Sequence, residues 1–501
     1  MRPATSRRTV PTALLALAAL GLAAAPQGIA AAPQATAPAP APETVTTRRD
    51  QKALAVTIYN TNLALVRDLR EVRLAQGDLD LAFQEVSTQI RPETAQLRSL
   101  TDPRDFWISE QNFDFDLLTP QKLLEKYVGR TVTVLTPVPN PAGPGVQERR
   151  EEAEVLATNG GVVLRFADRI ETSAPGRIVY PGVPGNLRAR PTLVLALHSG
   201  TARPQQLELT YLTGGLTWQA DYVANLATDG RTLDLGGWVT LTNRSGVDYP
   251  GATLQLVAGD VHQAAPRGLA MDNMAPVMAK AMPAPPRMQE EGLFEYHLYT
   301  LDRPTTLKEN QTKQVALLSG KGVPVRRDYV LKGESYYYRE RFGDLGGKQK
   351  VTVYVTFDNK AEGGLGLPMP KGVVRVYQRD GAGRPQFIGE DGIDHTPRNE
   401  EVRLHLGEAF DLTARRKQTD FKSLGAQGQY RNVYESAYQV VLKNAKREPV
   451  TVTVLEPVAG DWEMVQHSHP FTKESAGAAR FQVPVPAEGE ATLAYRVRTR
   501  W

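Results

Sequence analysis

No cysteine occurs anywhere in the 501 residues. That excludes disulfides, a thiol nucleophile, a thiolate metal site and a lipid-modified N-terminal cysteine together. Histidine is scarce too, at seven residues, so imidazole-based metal or acid–base sites have few positions to occupy. Several catalytic signatures are absent: no G-x-S-x-G elbow, no H-E-x-x-H, no P-loop, and no G-x-G-x-x-G following a strand. Beyond the N-terminus, no apolar run reaches the roughly 18 residues that cross a membrane as a helix. The net charge of +4, from 59 basic and 55 acidic residues, is small for this length and does not suggest nucleic-acid binding.

What is present begins with an address. Arg2, Arg7 and Arg8 form a basic region, Thr12 to Ala25 an apolar one, and Gly28-Ile29-Ala30 a small-residue cleavage site. Residues 1–30 therefore read as a signal peptide; a short uncleaved anchor is the alternative. Ser6-Arg7-Arg8-Thr9-Val10 partly matches a twin-arginine signal, but Pro11 departs from it and favours ordinary Sec export. The expected location is the periplasm or the extracellular medium. Residues 31–50 follow as an Ala/Pro-rich tether.

The mature chain carries the period-two alternation of half-buried strands. Gln76-Gly77-Asp78 reads as a turn between neighbouring strands near the start of the folded chain. Between Gln205 and His262 the pattern is dense. Leu207, Leu209 and Tyr211 alternate with polar residues. Trp218, Ala220, Tyr222, Ala224 and Leu226 share one face, with Thr217, Gln219, Asp221 and Asn225 on the other. Gly214-Gly215, Asp229-Gly230 and Asn243 to Gly246 punctuate the strands, and short links favour antiparallel pairing of neighbours. Thr119-Pro120 opens the clearest helix, with a capping hydroxyl followed by a proline that needs no N–H partner.

The expected class is all-β, with several β-sandwich (immunoglobulin-like) units, a small SH3-like barrel in the N-terminal half and few short helices. The expected plan is an N-terminal β domain at 51–118, a barrel-like unit at 119–200, a sandwich region at 201–262 and 293–501, and a Met/Pro-rich insertion at 263–292. That insertion holds Met271, Met274, Met278, Met282 and Met288. Methionine clusters bind soft metals, but no His or Cys is interleaved here, so a flexible insertion or linker is expected. "VTLTNRSG", "VYVTFDNKAEGG" and "YQVVLKNAKREPVTVTV" repeat one scheme, in which a strand ends at Asn243, Asn359 or Asn444 and a turn follows. Asparagine suits such turns because its side chain bonds the local backbone.

"LTYLTGGLTWQADYVANL", "LDLGGWVTLTNRSGVDYPGATLQLVAGDVH" and "GDWEMVQHSHPF…VPAEGEATLAYRVRTRW" together resemble the bacterial family called domain of unknown function 4139, over roughly Gln205 to Trp501. The resemblance implies a β-rich envelope or secreted protein. It implies no reaction.

Two places hold candidate metal ligands. His467 and His469 stand two apart and would share a face on a strand. Asp391, Asp394 and His395 lie in "GEDGIDHTPRNEE", which lacks the residue order of a calcium loop. A hairpin between "PQFIGE" and "EVRLHLG", with Asp394 in a turn bond, is the simpler reading. Tyr336, Tyr337 and Tyr338 could stack on sugar rings from a strand, or be buried in one. No cofactor is implied, and the sequence leaves the oligomeric state open. The leading expectation is a non-enzymatic envelope module that binds a protein or a glycan. The alternative is a hydrolase of a cell-wall or extracellular polymer working through paired carboxylates.

Overall fold

Alternating burial, not helix formation, shapes almost all of this backbone. The computed structural model describes residues 43–114, 116–141, 143–184, 187–259, 261–262, 288–345 and 347–501. Residues 1–42, which hold the expected signal peptide and part of the expected tether, Phe115 and the methionine-rich residues 263–287 lie outside the described residues. Among those described, no helix is long and apolar enough to cross a membrane.

The chain is all-β, with sandwich-like packed sheets. One sheet joins strands distant in sequence, in the order Met288–Leu293, Tyr296–Leu301, Tyr249–Ala258, Gln51–Tyr59, Leu63–Arg73, Pro204–Thr213 and Gln96–Ser99. A four-stranded sheet comprises Glu43–Thr46, Gly77–Gln84, Thr192–Ser199 and Phe106–Asp114. Their inner faces, including Val56, Ile58, Leu81, Phe83, Leu195 and Leu209, belong to one contiguous core.

The small unit is an open five-stranded sheet around Val132, Val134, Val155 and Leu164, not a closed barrel. Its outer strands, Ile170–Glu171 and Arg177–Val179, are two and three residues long. That is too short to carry the stagger that closure requires. The helix Pro120–Lys126 forms as expected, with Thr119 Oγ1 accepting from Lys122 N at 3.1 Å.

A long sheet organises the family-like region. Its strands are β1 (Leu216–Leu226), β2 (Thr232–Asn243), β3 (Gln311–Lys332), β4 (Gln349–Asp358), β5 (Gly372–Arg379), β6 (Pro385–Ile393), β7 (Glu401–Gln427), β8 (Tyr430–Asn444), β9 (Asp461–His467) and β10 (Glu490–Arg500). The spatial order is β6-β5-β1-β2-β3-β4-β7-β8-β10-β9. Beside β8 and β10 lies a second core, built on Val440, Leu442, Val452, Phe481 and Leu493.

The sequence mistakes some links for hairpins. The Gln76-Gly77-Asp78 and Gly214-Gly215 turns do not join sheet neighbours: Leu63–Arg73 and Gly77–Gln84 lie in different sheets, as do Pro204–Thr213 and β1. Asn243 to Gly246 likewise carries the chain out of β2 to Tyr249–Ala258 in the other sheet. Asp229-Gly230, by contrast, links a true antiparallel pair, β1 and β2. Phe294 is not part of a strand. It stands at the tip of a hairpin between Met288–Leu293 and Tyr296–Leu301, with φ of 56° and 90% of its surface exposed. Met288 to Glu291, expected within the flexible insertion, are strand residues. Only Met288 is buried there, so the edge strand shows no apolar alternation.

The three asparagines perform one task three times. Each is buried at a corner where a strand leaves the long sheet. Asn243 Nδ2 donates to Val247 O (2.9 Å) and Leu307 O (3.3 Å), while its Oδ1 accepts from Ser245 N (3.0 Å). Asn359 Nδ2 donates to Leu367 O (2.8 Å) and Pro397 O (2.9 Å), and Oδ1 accepts from Gly366 N (3.0 Å). Asn444 Nδ2 donates to Glu448 O and Pro486 O, and Oδ1 accepts from Lys446 N, all at 2.9 Å. Opposite them, Asn310, Asn399 and Glu488 take positive φ (54°, 66° and 48°) just before β3, β7 and β10 begin. The partner strands then pair antiparallel, at Asn243↔Gln311, Asp358↔Glu401 and Lys443↔Glu490.

Replacing Asn359 by Ala removes three hydrogen bonds and strands two carbonyls, and is expected to cost about 2–4 kcal/mol. Urea unfolding followed by tryptophan fluorescence measures it. A loss no larger than that of an exposed alanine control would show that the corner does not need the clamp.

Candidate functional site

Strand alternation gives β1 two faces with different duties. Trp218, Ala220, Tyr222, Ala224 and Leu226 are buried, leaving Asp221, Val223 and Asn225 on the outer face. The neighbours continue that face. Asp234, Asn225, Tyr377 and Phe387 are successive cross-strand partners from β2 through β1 and β5 to β6. Nearer the other end of the sheet, Asp221 stands between Trp238 on β2 and Val373 on β5.

Polar groups on this face are tied together. Arg375 Nη1 donates to Asp221 Oδ1 at 2.9 Å, and Arg375 Nε lies 3.2 Å from Glu390 Oε2. Thr240 Oγ1 donates to Asp221 Oδ2 at 2.6 Å and accepts from Gln314 Nε2 at 3.1 Å. The hydrogen bond to Asp221 raises the Arg375 guanidinium above its usual range, so Arg375 stays charged across physiological pH.

Because β1 and β5 run parallel, the β1–β2 and β5–β6 turns lie at the same end of the sheet. Between them is a cleft of about 350 Å³. Tyr377, Asn225, Thr228, Asp234, Gln378 and Arg379 line it. Gln378 Nε2 donates to Ala227 O (2.9 Å), tying the two turns together. Asp234 Oδ1 accepts from Gly322 N (2.8 Å), and Arg379 Nη1 donates to Gly383 O (2.6 Å). The Tyr377 ring meets that of Phe387 edge-on, with centroids 5.6 Å apart. Asp234 is the only carboxylate in the lining.

A second chemically loaded place has no opening. Arg416 and Glu456 form an ion pair with no exposed surface on either side chain. Tyr338 OH donates to Glu456 Oε2 (2.9 Å) and lies 3.1 Å from Tyr495 OH. The Arg416 guanidinium sits 5.1 Å from the Tyr337 ring. Its Nε and Nη2 find no partner among the described residues. Gly333 makes the approach possible, since a Cβ there would fall 2.2 Å from Glu456 Oε2. Burial alone would lower the Arg416 pKa, but the Glu456 charge outweighs it and raises it. This is a structural pair in a closed core. Tyr337 and Tyr338 are accordingly buried in a short 3₁₀ turn, Ser335–Tyr338, and not on a strand. The reason is the pull of the Glu456 and Tyr495 contacts on Tyr338.

The candidate metal ligands do not converge. His467 ends β9, with Nδ1 2.9 Å from His469 O, and His469 Nδ1 pairs with Ser468 Oγ at 2.9 Å. Asp391 accepts from Gly392 N (2.9 Å) and His405 N (2.7 Å), and Asp394 from His395 N (2.9 Å). His395 Nδ1 accepts from Lys371 N at 3.2 Å. Among the described residues, no three His, Asp or Glu side chains form a metal-sized group. Asp391 and Asp394 do make local bonds, but β6 and β7 are not a hairpin. β6 pairs with β5 and ends the sheet.

Sequence reasoning identified the outer face of β1 but missed Tyr377, Phe387 and Trp238 as its companions. Their outward alternation with Val374, Val376, Val239 and Leu241 was a readable signal; the parallel pairing that gathers them was not.

The family model described as Domain of unknown function (DUF4139) matches residues 207–501. The chain belongs to this family. No curated protein matches it.

Two outcomes are expected of the buried groups. Glu456→Gln leaves the Arg416 charge uncompensated and should cost about 3–5 kcal/mol, whereas an Arg416→Met/Glu456→Leu pair should recover most of it. A double-mutant cycle by chemical unfolding checks this; a near-zero coupling would refute it. Burial also raises the phenols of Tyr211, Tyr222, Tyr338 and Tyr495 well above their ordinary value, and that of Tyr249 to about 12. Unfolded tyrosines ionise near pH 10, so above that pH the folded state holds more protons than the unfolded one. Stability is therefore fully present below about pH 10 and falls as pH rises through 12. Melting temperatures between pH 8 and 12 that stay flat would contradict it.

Proposed function

We propose that this protein is an exported, non-enzymatic binding module of the cell envelope, and that its binding surface is the outer face of β1, β2, β5 and β6 with the cleft at its end. The observation that carries the reading is the cleft itself. It has room for a small ligand, one aromatic ring in its lining, that of Tyr377, and prearranged polar groups, which are ingredients of recognition. Chemistry has less to work with there. A hydrolase that uses paired carboxylates needs two acids facing one bond, and this lining holds only Asp234.

Export rests on the basic, apolar and small-residue order of residues 1–30, and the tether after it would give the module reach. The sandwich architecture suits the same task. It holds a face rigid while the turns at its ends vary.

Crosslinking of the tagged protein in its native cells, followed by affinity capture and mass spectrometry, tests the reading. The expected result is a reproducible envelope component, with the protein itself in the periplasmic or extracellular fraction. Background proteins alone, or a cytoplasmic protein, would overturn it.

A further inference from the structure

The outer face carries more than a cleft, and its chemistry is selective. Its charges are already engaged. Asp221 and Glu390 hold Arg375, Asp234 binds the Gly322 amide, and Arg379 binds the Gly383 carbonyl. Asp234 and Arg379 carry opposite charges, so the face has no excess of one sign with which to hold a strongly charged ligand. What remains available to a ligand is aromatic surface with amide and hydroxyl groups around it.

Two aromatic positions frame the face. Tyr377 stands at the cleft, backed by Phe387, which is exposed. Trp238, half-buried, lies four residues along β2 from the row that contains Tyr377. Its indole leans over Gly236: a Cβ on that glycine would sit 3.9 Å from the indole Nε1. Four residues and two strand spacings place the two aromatic positions roughly 16 Å apart. Between them run Val223 and Gly236, the low part of the face.

We infer that this face binds a neutral oligosaccharide, with Tyr377 and Trp238 as stacking platforms for separate sugar rings and Asn225, Thr228 and the Oε1 of Gln378 as hydroxyl partners. The physical basis is the quadrupole of the aromatic ring. Its negative face meets the weakly positive C–H face of a pyranose, and the amides and hydroxyls at the margin meet the sugar hydroxyls. A peptide would use different features. It would need backbone groups at a free strand edge, whereas β6 lies against β7, with Asp391 accepting from His405 N and a Cβ on Gly389 falling 3.1 Å from the Leu406 carbonyl oxygen. The inference rests on the proposed binding role of this face and names its ligand.

The test uses the full mature chain with maltohexaose, cellohexaose and the hexamer of N-acetylglucosamine as probes, titrated by calorimetry. At least one should bind. Tyr377→Ala and Trp238→Ala should each weaken that binding by about tenfold or more, and Phe387→Ala should weaken it less. Phe410→Ala, at a residue 94% exposed on β7, should leave it unchanged. Melting curves identify any variant that fails to fold, and Tyr377→Leu or Trp238→Leu, which keeps apolar bulk but removes the ring, then serves in its place. Binding that survives both platform substitutions overturns the inference, as does failure of all three sugars. In either case a photo-crosslinker at position 377 separates the two claims. Capture of an envelope protein from native cells would leave the binding role standing and remove the sugar. Capture of nothing would remove both.

Discussion

The buried asparagine at the corner of the sheet is the constraint on which the family region depends. A strand that leaves a sheet exposes backbone groups just where the sandwich needs them buried, and unpaired buried amides and carbonyls are costly. Asparagine supplies two donors and an acceptor on one short side chain. Asn243, Asn359 and Asn444 each commit both donors to carbonyls, one from the following turn and one from a distant segment, and the acceptor to a turn amide. Aspartate would turn the donors into acceptors facing carbonyls, and glutamine would reach too far. Each corner thereby fixes where the returning strand begins, and with it the register of β2 with β3, β4 with β7 and β8 with β10. In a sheet with one buried face, a slip of a single residue would exchange the inner and outer sets.

Register fixed at each corner must then be carried from one repeat to the next, and β3 and β7 do so. The first part of β3 pairs with β2 and its later part with β4. Likewise β7 pairs first with β4 and then with β8. Both strands are interrupted by bulges, between Leu233/Leu235 and Gly237/Trp238 on the β2 side of β3, and between Lys350/Val351 on the β4 side of β7. Bulges increase local twist, which lets one continuous strand change its sheet neighbour along its length. They also eject side chains. Phe410 lies within the β7 bulge and is almost wholly exposed.

These same devices set how much could be read from sequence. Local alternation in β1 separated Tyr222 from Asp221 correctly, because each side chain reports its face through its own polarity. The helix cap at Thr119 and the strand–Asn–turn scheme were equally local. What failed was non-local. The Gly214-Gly215 link looks like a hairpin turn, yet whether a chain turns back or crosses to the facing sheet is decided by partners far away, here Leu63–Arg73 for one strand and Gly372–Arg379 for the other. The long β7 was legible only through Leu406. Beyond it a bulge intervenes and the buried positions run Leu412, Ala414, Arg416 and Gln418, so the burial alternation is not written as an apolar one in "EAFDLTARRKQTDFKSLGAQ". The candidate site suffered the same way. Tyr377 is an unremarked aromatic until parallel pairing sets it beside Asn225. Arg416 and Glu456 look like surface residues until packing buries both.

The outer faces along the sheet are not equivalent, and the difference follows from composition. On β7, β8, β10 and β9 the outer positions form a ladder of opposite charges. Arg496 bridges Asp420 (2.8 Å) and Glu435 (3.0 Å), Arg498 meets Glu435 (2.9 Å), and Arg500 meets Glu463 (2.6 Å). Such exposed pairs add little stability. They do keep the face hydrated, and charged residues along the β9 edge discourage pairing with a foreign strand. On β5, β1 and β2 the charged groups are fewer and are drawn inward around Asp221, leaving Val223, Gly236, Trp238 and Tyr377 between them. A hydrated ladder repels a ligand that must shed its own water, whereas a face with apolar rings and satisfied charges does not. The two cores along the long sheet thus differ in what stands outside them: around β7 to β10 ion pairs cover the surface, and around β5, β1 and β2 apolar and aromatic side chains stand between the charged ones.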